Sequence, residues 1–412
     1  MRQYNTNNLS NGLKVALLHS KSKVVYTGFA IHSGSRNDPG GLPGLAHFVE
    51  HTLFKGTERR RAWHIINRME RVGGTLNAYT TKDTTFVYTA APRHELRRSI
   101  ELLNDLIRHA NFPPHELERE KVVIEDEINI YKDSPSDLIF DDFEERLFAG
   151  HPMAHPILGD AHSLKKICRE DCIDYIQKAF HPTQMIFFCM GQVSPQRFDT
   201  LCEELLSEPF PVSDGHPKQS VPEITLFKEI KKTSNHEANT LIGGGAPTLS
   251  DRDRTEAALL MNILAGPGMN SRLNIQLRER RGWVYGVESS LTTLPDIGWW
   301  QIYFGSDPKH AEQALKVTLD ELHRLREVPL SPTTLRAWKK QAIGQAQMGT
   351  EESESVFLNF GRQLLLKGRY DDITELASRL ESITPEGLQA VARKLFDPQN
   401  ISQLRYLGKS DE

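Results

Sequence analysis

Two histidines and a carboxylate stand close together in one apolar stretch. GLAHFVEHTL, from Gly44 to Leu53, holds His47, Glu50 and His51. On a helix, positions i and i+4 lie on one face, so His47 and His51 can each turn an imidazole nitrogen toward a single ion. Glu50 is next to His51 and three residues from His47, and its carboxylate can reach past that ion toward a bound water. Zinc hydrolases need this combination: two or three neutral or anionic ligands, one open position, and a base beside it. The order His-x-x-Glu-His inverts the commoner His-Glu-x-x-His arrangement. Alone, the pattern also fits a helix with two partly exposed histidines, and a third ligand would separate the two readings.

The acidic stretch LEREKVVIEDEINIY offers candidates for that ligand. Glu120 and Glu127 are two helical turns apart on one face. Val123, Ile124 and Ile128 supply an apolar side for packing, while Glu116, Glu118 and Glu125 are expected to face solvent. Periodicity alone leaves open which carboxylate turns inward.

The elements that must position these groups can be read from the surrounding pattern. Leu13–Leu18 and Val24–Ile31 read as strands, followed by a helix over LAHFVEHTLF and a second helix near Ala62–Val72. GGTLNAYTTKDTTFVYTAA reads as two strands, Thr75–Tyr79 and Thr85–Ala90, joined by a polar turn. Helices are expected over Arg93–Ala110 and Pro114–Lys132, and a buried strand over Met185–Gly191. Pro209, Pro211, Pro217 and Pro222 then crowd a stretch that includes Ser213, Asp214 and Gly215. That stretch divides the chain into domains 1–215 and 216–412.

The second half resembles the first. YTAAPRHELRRSIELLNDLIRHANFPPHEL and IYFGSDPKHAEQALKVTLDELHRLREVPLSPTTL both read as strand, turn, amphipathic helix, proline break and second helix. Their aligned prolines, Pro92 and Pro308, stand 216 positions apart, which indicates one duplication rather than a short repeat. Strands come in adjacent pairs, so the expected fold class is α+β: two duplicated domains, each an antiparallel-rich sheet packed with helices. The duplication also serves as an internal control. The second half has RTEAALLMNIL where the first has its His-x-x-Glu-His, so the fold does not demand those residues.

Length and composition narrow the function classes. The 412 residues exceed one ordinary core. With 38% hydrophobic and 25% charged residues the chain reads as globular. A net charge of −4 argues against nucleic acid as the main partner, and basic runs such as Arg59–Arg61 read as solvated surface. No segment approaches membrane-spanning length, and the N-terminus lacks signal-peptide features, giving two alternatives: a cytoplasmic protein, or one whose leader is missing from this sequence. Cys168, Cys172, Cys189 and Cys202 form no zinc set and read as small hydrophobes in a reducing compartment.

Taken together, HFVEHTLFKGT, GGTLNAYT, EREKVVIEDEI and LRERRGWVYGVESS resemble, in order, blocks of the pitrilysin, insulin-degrading and mitochondrial processing peptidase family. The resemblance spans nearly the whole chain. It implies Zn2+ held by His47, His51 and Glu127, the last 76 residues beyond His51. It makes Glu50 the general base and Glu120 an outer-shell support that orients a histidine. Asn77 and Ala78, in NAYT, match a substrate-holding edge strand, where an extended peptide would gain main-chain hydrogen bonds. Arg278 and Tyr285 match an Arg–Tyr pair that the family brings to the zinc site from another domain, where they suit a developing oxyanion. Arg280 and Arg281 are neighbouring rivals, and Trp283 stands where the family usually has leucine. The family's large members join two halves of this size, so the resemblance implies a dimeric clamshell around a chamber. That dimer would be a homodimer, or a heterodimer with a related subunit. The implied activity is a zinc metalloendopeptidase acting on peptides or unfolded polypeptide segments. The alternative is a non-catalytic structural or substrate-presenting subunit, of the kind that usually lacks part of the zinc set.

Overall fold

The computed structural model describes residues 3–213, 215–217, 219–233 and 236–408. Asp214 of the proline-rich stretch, and Met1 and Arg2 at the N-terminus, lie outside them. The chain forms two compact units. The first comprises Met1–Asn129, His155–Gln219 and Gly349–Asp372; the second comprises Ile130–Ala154, Ser220–Met348 and Ile373–Glu412.

The first unit is built on a six-stranded sheet. Its strands are β1 (Tyr4–Asn8), β2 (Lys14–His19), β3 (Val24–Ile31), β4 (Thr75–Thr80), β5 (Thr85–Pro92) and β6 (Met185–Gly191), in the order β1-β2-β6-β3-β5-β4. Only β2 and β6 run parallel; every other neighbouring pair is antiparallel. β4 therefore lies at an edge, paired on one side by β5. The helices that matter for the site are α1 (Leu45–Leu53), α2 (Ala62–Glu70), α3 (Leu96–His109) and α4 (Pro114–Lys132).

All seven residues of β6, MIFFCMG, are buried. Successive side chains on a strand alternate faces, so such a run requires cover on both sides. Met185, Phe187 and Cys189 join the core that contains α1 and α3. Ile186, Phe188 and Met190 join a second cluster with Val356, Phe357, Phe360 and Leu364 of the helix Ser353–Lys367. Phe188 stacks on Phe357 with centroids 4.3 Å apart. Each buried phenylalanine contributes about 1.5–3 kcal/mol, so these two faces outweigh the exposed ion pairs in holding the sheet.

The second unit repeats this plan. Its strands are β7 (Lys228–Lys232), β8 (Ala238–Ala246), β9 (Val284–Thr293), β10 (Gly298–Ser306) and β11 (Ser402–Leu407), in the order β7-β11-β8-β10-β9. The pair β7–β11 is parallel and the others are antiparallel. Strand for strand, this is the order β2-β6-β3-β5-β4, with no counterpart of β1 among the described residues. Trp300, Ile302 and Phe304 of β10 fill one core, while Trp299 and Tyr303 turn to the other face. Ile139, Phe143 and Leu147 of the helix Pro135–Leu147 cover that second face. Each half of the chain thus lends one helix to the other half's sheet.

Candidate metal centre

α1 carries the His-x-x-Glu-His residues, and the loop before it sets its start. Gly44, with φ of +93°, begins the helix in the left-handed region. Its N–H donates to Asp38 Oδ2 at 2.7 Å, and the Ala46 N–H donates to Asp38 Oδ1 at 2.8 Å. The Asp38 side chain at this end accepts from N–H groups that have no partner inside the helix, while burial pushes its pKa up to about 8 against those hydrogen bonds. The Pro43–Gly44 backbone lies hard against Leu158–Gly159. A Cβ on Gly44 would meet Leu158 O at 2.7 Å, and one on Gly159 would meet Pro43 O at 2.2 Å. The Ser163 hydroxyl closes the contact by donating to Pro43 O at 2.7 Å.

On α1, Leu45, Ala46, Phe48, Val49 and Leu53 enter the core. His47 is 8% exposed and His51 is half-buried. Their ring centroids are 4.5 Å apart. On α4, Leu117, Glu120, Ile124 and Ile128 form the buried stripe, and Glu127 lies at its rim. This resolves the choice that periodicity left open: Glu120 turns inward beneath the histidines and Glu127 reaches them from the side. Val123 departs from the sequence expectation, being 52% exposed. One residue before Ile124, it is turned about 100° around the helix from the stripe.

His47, His51 and Glu127 offer donor atoms that all lie within 4.8 Å of one another. Glu127 Oε2 is 3.7 Å from His51 Nε2 and 4.0 Å from His47 Nε2. A tetrahedral zinc ion with bonds of about 2.1 Å spaces its donors about 3.4 Å apart. The two Glu127 separations are wider than this, at 3.7 and 4.0 Å, and the borderline nitrogen and carboxylate donors suit that ion. Behind it, Glu120 Oε1 lies 2.9 Å from His51 Nδ1, and Glu120 Oε2 lies 2.6 Å from Lys55 Nζ. That contact places the His51 proton on Nδ1 and leaves the Nε2 lone pair facing the site.

The electrostatics differ between the two histidines. Burial, helped by neighbouring His51, pulls the pKa of His47 down to about 4, so its ring is neutral near pH 7. Burial acts in the same direction on His51, but the Glu120 hydrogen bond and the charges of Glu50, Glu120 and Glu127 outweigh it and hold His51 above its usual value. Burial would raise Glu120, yet hydrogen bonds from His51 and Lys55 hold it low. Burial raises the pKa of Glu50 and the Glu127 charge adds to this, against interactions with Thr80 and His51. A carboxyl biased toward accepting a proton suits a general base. Thr80 belongs to β4, so Glu50 interacts with the edge strand as well as with His51 and Glu127.

Asn77 and Ala78 lie on β4. Leu76 and Ala78 pack against the core that contains α1. Alternation sends Asn77 and Tyr79 to the opposite face, where Tyr79 joins the aromatic cluster. Asn77 pairs across the ladder with Tyr88, whose phenol donates to Glu354 Oε1 at 2.5 Å. The β4 feature directed outward at the edge is therefore its main chain.

Arg278 and Tyr285 belong to the second unit. Arg278 sits in a π-helical segment, Asn274–Glu279, with its guanidinium near Glu279 at 4.0 Å. Tyr285 is on the edge strand β9 and is 82% exposed. Trp283 stacks on His310, with centroids 5.4 Å apart, and Arg281 lies over its ring. This occupies Arg281 and leaves Arg278 the freer of the two. Sequence reasoning did not assign Asp38, Lys55 or the Gly44–Gly159 contact. Lys55 stands inside the HFVEHTLFKGT block and Asp38 is a loop carboxylate shortly before α1, so both were visible as residue types without a partner.

The family model described as Insulinase (Peptidase family M16) matches residues 14–161, and the model described as Peptidase M16 inactive domain matches residues 166–342. The chain is 26% identical over 390 residues to the uncharacterized zinc protease YmxG of Bacillus subtilis, covering 94% of each. It is 27% identical over 412 residues to an uncharacterized zinc protease of Rickettsia felis, covering 99% of this chain and 98% of that protein. Among solved structures, a protease from Helicobacter pylori superposes with a TM-score of 0.92 at 20% identity, over 98% of this chain and 99% of that one. A peptidase M16 inactive domain from Pseudomonas fluorescens gives 0.91 at 18% identity, over 99% of both chains. The chain belongs to peptidase family M16.

Proposed function

We propose that the chain is a zinc-dependent endopeptidase that cleaves peptides or unfolded segments bound as an extended strand. The observation that carries this reading is the convergence of the His47, His51 and Glu127 donor atoms beside Glu50. His47, His51 and Glu127 would hold the ion. Bound there, zinc supplies Lewis acidity toward a carbonyl oxygen and makes a water easier to deprotonate. Glu50 accepts the proton of that water and later delivers it to the leaving amine. The unpaired edge of β4 at Asn77–Ala78 offers main-chain groups to the peptide, which favours extended and unfolded substrates over side-chain-specific ones. Arg278 and Tyr285 donate to the developing oxyanion, in a homodimer where each zinc set meets the pair of the opposite chain. This last assignment rests on the family resemblance and on the exposure of Tyr285. Against a purely structural subunit stands the complete set of His47, Glu50, His51 and Glu127.

The test is digestion of a mixed peptide library by the purified chain, with and without a chelator, and by Glu50→Gln. Wild type should cut, chelation should stop it, and the variant should retain zinc but not cut, since an amide cannot take up the water proton. Cleavage that survives both chelation and Glu50→Gln would refute the assignment.

A further inference from the structure

Glu120 is a buried carboxylate with two distinct partners. Its Oε1 faces His51 Nδ1 at 2.9 Å, and its Oε2 faces Lys55 Nζ at 2.6 Å. Both partners come from the same short stretch. His51 lies in the last turn of α1, and Lys55 follows four residues later, held in a turn by its N–H to Thr52 O at 3.1 Å. Glu120 sits in the buried stripe of α4 between Leu117 and Ile124, which limits how far its carboxylate can swing. A buried carboxylate oxygen without a donor is costly, and rotating the group relieves that cost. Rotation would take away the acceptor that His51 needs at Nδ1. Lys55 meets the second oxygen and removes that pressure.

We infer that Lys55 is a positioning residue for the metal centre: it clamps Glu120 so that His51 is held with Nε2 toward the ion. The inference rests on the zinc reading above. A merely structural ion pair joining the end of α1 to α4 would alter stability and leave metal affinity to the ligands alone. A positioning role alters metal affinity, and does so through Glu120.

The experiment measures zinc affinity by competition with a chromophoric chelator for wild type, Lys55→Met, Lys55→Arg, Glu120→Gln and the double variant Lys55→Met/Glu120→Gln. Apo-protein thermal unfolding is recorded for each. Lys55→Met keeps the aliphatic stem and drops the charge; Lys55→Gln replaces it in the set if it does not fold. Outer-shell losses of this kind weaken binding about 10–100-fold, and that loss is expected for Lys55→Met. Lys55→Arg should stay within about threefold of wild type, since its guanidinium can still reach the carboxylate. In the Glu120→Gln background, removing Lys55 should add almost nothing. A Lys55→Met chain that binds zinc like wild type, or a loss that persists undiminished without Glu120, would overturn the inference while leaving the zinc reading intact. Wild type that takes up no zinc would overturn both.

Discussion

The contact between Pro43–Gly44 and Leu158–Gly159 makes a demanding prediction, because a single methyl group tests it. Gly159→Ala places a Cβ 2.2 Å from Pro43 O, 2.6 Å from Pro43 C and 2.8 Å from Gly44 Cα, all of them backbone atoms. To reach ordinary contact the two segments must part by about 1 Å. Overpacking of this kind costs about 1–3 kcal/mol. Gly159 also has φ of +68°, where a side chain costs about 1–2 kcal/mol. A stiffer unfolded chain returns about 0.4–1 kcal/mol. The expected net destabilisation is about 2–4 kcal/mol, and α1 should shift with Gly44, whose carbonyl accepts the Phe48 N–H at 2.9 Å. Gly73 is the control, since it has φ of +70° and no atom within 4 Å of its added Cβ. Gly73→Ala pays the conformational cost without the clash. Denaturant unfolding of the apo proteins and chelator competition for zinc would be compared for both variants. The reasoning fails if Gly159→Ala is as stable as Gly73→Ala and binds zinc with wild-type affinity.

Three further outcomes follow from the same geometry. Glu120→Gln should weaken zinc binding by about 10–100-fold and Glu127→Gln by more, because only the latter removes a donor atom; affinities in the reverse order would exchange the two roles. Zinc uptake should weaken about tenfold per pH unit as pH falls below the raised pKa of His51. One proton must leave His51, whereas His47, pulled down to about 4, is already neutral there; a slope of two protons across this range would contradict the split. Finally, Glu50→Gln and Tyr285→Phe, each inactive alone, should regain activity in a mixed dimer, up to about half of the wild-type sites. Verified mixed dimers as inactive as their parents would exclude sharing of the site between chains.

Much of this was legible in the sequence, for identifiable physical reasons. β6 reads as a strand because seven consecutive apolar residues bounded by turn residues fit a strand covered on both faces. Strand β1, YNTNN, gave no such signal: its side chains are largely exposed and it is held by main-chain pairing to β2. Glu120 and Glu127 could not be told apart by spacing, since both lie near one face of α4. Only the approach of α1 brings Glu120 against His51 Nδ1 and Glu127 toward the Nε2 atoms of both histidines. The helices Pro135–Leu147 and Ser353–Lys367 carry apolar faces, but an apolar face does not name the sheet it will cover. Their exchange between the two units therefore appears only in three dimensions.

The duplication shows how little of the fold the metal chemistry requires. In the second unit the helix Arg254–Ala265 follows β8 much as α1 follows β3. Its buried positions are Thr255, Ala257, Leu259, Leu260, Met261, Ile263, Leu264 and Ala265, with no imidazole among them. The same strand order forms around that apolar helix as around α1. The second unit's sheet is therefore stabilised by burial on its two faces, with no imidazole among the buried positions of this helix. His47 illustrates the cost. Its Nδ1 is buried without a hydrogen-bond partner, and an unsatisfied buried polar atom costs about 1–3 kcal/mol. A leucine at that place would avoid this penalty. Its Nε2 lies 4.0 Å from Glu127 Oε2, the placement that the proposed ligand role requires.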